Sequence, residues 1–216
     1  MALCERVSFL KDLCRGRRVL HLGCADWPYT KERLASGRLL HSAIESVAKS
    51  QIGVDLSQEG VELLRKFAPA WDVRCVDANS FVPDFEYDII LCSELIEHME
   101  NPGLLLRSIR KWAHCNSQLV LTTPNAYALK ASLRALAGRE FCHPDHTVVF
   151  SSKTLQQLLK KCGWDTTQTA YYHLSGHSTI SRMLSGTVWL LNFICSDRMG
   201  DGLIVVARTD NPGPEA

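Results

Sequence analysis

Five short apolar runs constrain this chain more than any other feature. They are Val19-Leu-His-Leu-Gly23, Ile52-Gly-Val-Asp-Leu56, Val73-Arg-Cys-Val76, Tyr87-Asp-Ile-Ile-Leu-Cys92 and Leu119-Val-Leu-Thr-Thr123. Runs of this length suit strands, and their apolar continuity suits strands covered on both faces, as in a parallel sheet. Thr167–Tyr172 and Leu203-Ile-Val-Val-Ala207 add two more near the end. Helix-period segments separate them. Residues 58–67 place Val61, Leu64 and Phe67 on one stripe behind a Ser57 cap. Residues 102–113 begin at Pro102 and carry Leu105, Ile109 and Trp112; residues 152–162 carry Leu155, Leu158 and Leu159 and stop at Gly163.

This alternation predicts an α/β fold, an open doubly wound sheet with helices on both faces. Ligands of such sheets sit at the carboxyl ends of the strands, near the point where strand order reverses. At 216 residues and 46% hydrophobic, the chain fits one domain over 1–216, with Asp210-Asn-Pro-Gly-Pro-Glu-Ala216 as a loose tail. Its 24 basic and 23 acidic side chains balance to +1 and give no footprint for long nucleic acid, apart from a local patch at Arg15-Gly-Arg-Arg18. Nine cysteines, an odd count without a Cys-x-x-Cys, read as free thiols in a reducing cytoplasm. The opening MALCERVSFLKDLC lacks a signal peptide's apolar core. The late apolar stretch Thr187–Cys195 falls short of the roughly 20 residues that span a bilayer. A cytoplasmic protein without a transmembrane segment is the expectation; the oligomeric state is not legible.

Chemistry collects at the strand tips. In HLGCADWPYT, Gly23 follows the first strand, where a tight turn can aim amides at a ligand, though one glycine equally makes an ordinary turn. Asp55 in GVDLS offers two carboxylate oxygens to two adjacent ribose hydroxyls, or caps the next helix. Asp77 in VDANS is a third polar tip, suited to an adenine amino group or to a turn. Behind the fourth run, SELIEHMENP sets Glu94, Glu97 and His98 within five positions. If the stretch is helical, all three share one face, either as a charged helix start or as a site for a cation or a proton.

On VLHLGCADWP, IGVDLS, VDANSF, YDIILCSELIEHMENP, LVLTTPN and DHTVVFSSKTLQQLLKKCGW, the chain resembles the class I S-adenosylmethionine-dependent methyltransferases over about residues 18–208. The resemblance implies a Rossmann-like sheet of seven strands, mostly parallel, with an antiparallel last strand. It implies S-adenosyl-L-methionine as cofactor, with Gly23, Cys24, Ala25 and Asp26 beneath its methionine part. Asp55 would hold the ribose diol beside Leu56, Asp77 and Ala78 the adenine, and Cys92 and Ser93 would lie near the sulfonium. The family loop is usually Asp-x-Gly-x-Gly-x-Gly, whereas this chain reads His21-Leu-Gly23-Cys-Ala25-Asp-Trp27 and keeps one glycine. Ala25 is tolerable there if its φ stays negative. Trp27 must turn its indole outward or open the loop. Asp26 would accept from the cofactor's ammonium group.

Glu94-x-x-Glu97-His98 further resembles the metal-binding segment of ubiquinone-pathway and small-RNA 3′-terminal O-methyltransferases. With Asp145-His146 downstream, the implied ligands are Glu94, Glu97, His98 and His146, around Mg²⁺ or Mn²⁺; His143 is the second candidate histidine. Without metal, His98 and Glu94 would be the catalytic acid/base groups. Tyr29, Asn125 and Tyr127 are candidates for the mouth of the site. Residues 126–142, with Lys130, Arg134 and Arg139, and residues 173–200 would set acceptor specificity. The reading is an O-methyltransferase acting on a small hydroxylated molecule such as a sugar, glycan or phenolic, with nucleic acid not expected. Two alternatives are a 2′-O-methyltransferase of RNA 3′ ends and a non-catalytic scaffold on the same fold.

Overall fold

The computed structural model describes residues 3–139, 142–173 and 197–209. The apolar stretch 187–195, the tail 210–216 and most of 173–200 lie outside the described residues. The strands are β1 (Leu3–Cys4), β2 (Arg18–Leu22), β3 (Ser50–Asp55), β4 (Asp72–Cys75), β5 (Ile89–Ser93), β6 (Gln118–Pro124), β7 (Asp165–Tyr172) and β8 (Gly202–Arg208). The helices are α1 (Arg6–Cys14), α2 (Thr30–Ala35), α3 (Leu40–Glu45), α4 (Gln58–Phe67), α5 (Pro102–Trp112), α6 (Leu129–Leu136) and α7 (Ser152–Lys161).

One sheet runs in the order β1-β7-β8-β6-β5-β2-β3-β4. The last strand, β8, is antiparallel to both neighbours, and the remaining pairs are parallel. Eight strands replace the expected seven because β1 adds Leu3 and Cys4 beside Tyr171 and Tyr172, covering part of what would be the open edge of β7.

Alternation along the central strands splits the core. Leu20, Leu22, Ile90 and Cys92 join Leu105 and Ile109 of α5 and Leu155 and Leu159 of α7 on one face. Val19, Ile89 and Leu91 meet Leu10 of α1 and Ile44 of α3 on the other. Ser57 caps α4, its hydroxyl accepting from the Gly60 amide at 3.0 Å. Pro102 opens α5 behind an Asn101 cap, and Gly163, at φ +81°, follows α7. Strand order reverses at β2, which pairs β3 on one side and β5 on the other. The tips of β2 and β5 therefore flank a crevice. Among the described residues, no helix is long and apolar enough to cross a membrane.

Candidate active site

A cleft of about 500 Å³ runs along the carboxyl ends of β2, β3 and β4 towards the turn after β5. Gly23, Asp55, Leu56, Asp77, Ala78 and His98 line it. Gly23 is left-handed, φ +75°, and a Cβ there would sit 3.3 Å from Leu95 Cβ. The chain needs glycine at that point. Leu56 is 72% exposed to the cleft and solvent. Asn79, Leu95, Met99 and Leu104 also line the cleft. Nothing in the motif reading marked them, although Asn79 follows a strand tip and Leu104 sits in the first turn of α5.

Asp55 braces the loop after β2. Its Oδ2 accepts from the Ala25 amide at 2.8 Å and its Oδ1 from the Ser57 amide at 2.9 Å. Cys24 and Ala25 turn their side chains into a small core with Val61, Leu64 and Val73, away from the cleft. Glycines make room for them. A Cβ on Gly53 would come 2.7 Å from Cys24 Sγ, and one on Gly60 would come 2.8 Å from Ala25 Cβ. The loop's missing glycines are thus matched by glycines in β3 and α4. Ala25 keeps a negative φ, since Asp26 (+54°) and Glu94 (+49°) are the non-glycine residues with positive φ among those described. The Trp27 indole points outward at 47% exposure. Asp26 pairs with Arg33 at 3.0 Å, and burial raises its pKa. Cys92 packs in the main core, and Ser93 bonds the Thr122 hydroxyl at 3.0 Å, so neither side chain lines the cleft.

SELIEHMENP is a broken turn and not an α-helix. Glu94 is left-handed, Ile96–His98 form one 3-10 turn, and Met99 is extended before Asn101 caps α5. Pro102 explains why the 3-10 turn does not run on into α5, because it lacks the amide a continuous helix would need and pushes Asn101 out of the helical region. The turn sets Glu94 apart from Glu97 and His98. Glu97 is buried at 1% exposure, and neither of its carboxylate oxygens makes a well-formed hydrogen bond, although the Thr123 hydroxyl lies near enough to favour the charged form. Burial, and then the charge of Glu94, push its pKa up to about 8.

Donor atoms of Glu97, His98 and His146 lie within 4.8 Å of one another. Glu94 stands outside that trio; its Oε1 accepts from Tyr172 at 2.6 Å and Thr122 at 2.8 Å and lies 3.3 Å from Arg6. His98 Nδ1 lies 3.2 Å from the Asp145 carbonyl, which can only accept, so in the neutral ring Nδ1 carries the proton and Nε2 the lone pair. His143 Nδ1 is taken by the Asp145 amide at 3.3 Å, which favours His146 as the partner of His98. The 143–150 segment is held there by Thr147, whose amide donates to the Glu97 carbonyl at 2.9 Å. Tyr29 and Tyr127 are exposed, whereas Asn125 is buried and ties the Arg198 and Gly200 carbonyls to the tip of β6.

A Rossmann-like sheet with one antiparallel strand, a glycine turn after β2 and acidic tips on β3 and beyond β4 define a nucleoside-binding class of α/β protein. The chain belongs to a methyltransferase-domain family, whose model matches residues 2–169. It is similar to the ubiquinone biosynthesis O-methyltransferase of Pseudomonas aeruginosa, 25% identical over 132 residues, covering 58% of this chain and 52% of that one. The Bradyrhizobium diazoefficiens enzyme of the same name is 28% identical over 130 residues, covering 58% and 47%. The chain thus spans about half the length of the curated relatives it matches. Among solved structures, a SAM-dependent methyltransferase from Archaeoglobus fulgidus superposes with TM-score 0.59 at 19% identity, covering 94% of this chain and 91% of that one. The magnesium protoporphyrin IX methyltransferase of Synechocystis PCC 6803, solved with bound SAH, gives 0.60 at 15% identity, covering 94% and 80%.

Proposed function

We propose that this chain is an S-adenosylmethionine-dependent O-methyltransferase acting on a hydroxylated small molecule, with a divalent cation held beside the cofactor cleft. The observation that carries the reading is the cleft itself, with Gly23 and Asp55 at one end and His98 at the other. The residues fit the adenosyl group. Asp55 is pinned by two amides at the tip of β3, and each of its oxygens keeps a second lone-pair direction for a ribose hydroxyl. Leu56, Val76 and Leu104 supply apolar walls suited to a purine face, and Asp77 and Ala78 stand where its polar edge would reach. S-adenosylmethionine would supply an electrophilic methyl group on a sulfonium.

Carboxylate oxygens without a well-formed hydrogen bond on a buried Glu97, facing two imidazoles, also fit a cation. Mixed carboxylate and imidazole donors suit Mn²⁺, and less closely Mg²⁺. Glu97, His98 and His146 would hold it, and its chemistry there would be to acidify and orient an acceptor hydroxyl. The Nε2 of a neutral His98 ring would in its absence take the acceptor's proton directly.

The test is transfer of a labelled methyl group from S-adenosylmethionine to a panel of sugars, glycans and phenolics. Expected are label on oxygen, loss of activity with a chelator, return of activity with Mn²⁺, and a Glu97→Gln variant that behaves as chelated enzyme. Label on nitrogen or carbon would contradict the O-methyl reading, and activity indifferent to chelation would leave His98 as the base.

A further inference from the structure

Glu94 adopts a left-handed backbone, φ +49°, at the tip of β5, a conformation side chains hold only when their surroundings impose it. Its amide donates to the Thr122 carbonyl at 2.9 Å. Its Oε1 collects the Tyr172 hydroxyl at 2.6 Å, the Thr122 hydroxyl at 2.8 Å and the Arg6 guanidinium at 3.3 Å. Arg6 also lies 5.5 Å over the Tyr172 ring, so guanidinium, ring and carboxylate form one stack at the end of the sheet. Thr122 and Tyr172 are buried, which shields these contacts from competing water. A carboxylate oxygen with three donors is poorly disposed to ligate a cation, and among the described residues Glu94 lies outside the trio of Glu97, His98 and His146.

We infer that Glu94 is a positioning residue, clamped by Arg6 of α1 and Tyr172 of β7, and that this clamp fixes the turn that presents Glu97 and His98 to His146. The inference rests on the proposed function only for the use made of that trio. It gives α1 a second role beside packing, since one side chain from the N-terminal helix joins β5, β6 and β7 at a single oxygen.

The test uses Arg6→Met, Glu94→Gln and the double variant, without added metal, read by the imidazole NMR signals of His98 and His146. Each single substitution is expected to move both signals in the same direction, and the double variant no further than the larger single effect, because both cut one connection. Arg6→Lys, which keeps the charge, should restore the wild-type positions in large part. Unmoved signals in a folded Arg6→Met protein, or additive shifts, would overturn the clamp. Should Glu94→Gln fail to fold, Tyr172→Phe removes one donor and reads the same signals. A Mn²⁺ titration separates the two readings. Wild-type protein that binds no Mn²⁺ would sink the cation reading and leave the imidazole result to judge the clamp. Where Mn²⁺ binds, Arg6→Met should bind it about tenfold more weakly; tighter binding would show a released Glu94 acting as ligand and overturn the inference.

Discussion

Both oxygens of Asp55 accept backbone N–H groups, one from the loop after β2 and one from the start of α4, while the same carboxylate faces the cleft. The sequence showed the aspartate at the strand tip but not this bracing, because the Ala25 amide lies 30 positions away. Asp55→Ala should therefore cost about 2 kcal/mol of stability, the scale of losing charge-assisted hydrogen bonds in a partly buried site. It should also abolish cofactor binding. Denaturant midpoints and calorimetry would show both losses, and Asp55→Asn, which keeps one acceptor oxygen, should fall between. Glu97 was legible as a charged group near a strand tip, but its burial was not. Its inward aim follows from the left-handed Glu94 and the 3-10 turn Ile96–His98, which no helical spacing announces. Arg6 and Tyr172 were invisible as site residues, since Tyr172 meets Glu94 across 78 positions and no local pattern announces it.

At the scale of elements, the strands were the most legible part, because continuous apolar runs have few other homes. Helices α4, α5 and α7 carry clear stripes and were found; α2 and α3 have six residues each, too few to show a period. The loop after β2 keeps one glycine where the family pattern has three, yet its side chains are received by Gly53 and Gly60 in the elements behind it. This makes a paired prediction. In a helix, glycine to alanine normally gains up to about 1 kcal/mol. Gly60→Ala should instead destabilise this protein by about 1–3 kcal/mol, because the new methyl lands on Ala25. Ala25→Gly in the same chain should recover much of that loss, with Ser57, 3.2 Å from the new Cβ, limiting the rescue. Thermal midpoints of the three variants decide it, and additive losses would contradict the account.

For the whole molecule, buried ionisable groups set opposing slopes of stability with pH. His21 and His41 are buried with their Nδ1 atoms 3.2 Å apart, and Gln51 also contacts His41. Burial lowers the His41 pKa from 6.5 to about 4 and that of His21 well below 6.5. The folded state binds fewer protons than the unfolded one in that range, so this stability is present above about pH 6.5 and is lost as pH falls. Glu97 works the other way. Its pKa rises from 4.5 to about 8, so its contribution is present below 4.5 and is lost as pH climbs through 8. Together these groups predict greatest metal-free stability near pH 6.5. Glu97→Gln should remove the decline between pH 6.5 and 8 and steepen the rise between pH 4.5 and 6.5, as thermal midpoints across pH would show.

If this chain is a transferase, an adenosyl ligand lies along the tips of β2, β3 and β4. Calorimetric titration of S-adenosylhomocysteine into wild-type and Asp55→Ala protein addresses this most directly. Saturable binding of one molecule per chain, lost in the variant, is the expected result. No heat and no thermal shift with the wild-type chain, or equal affinity in the variant, would contradict it.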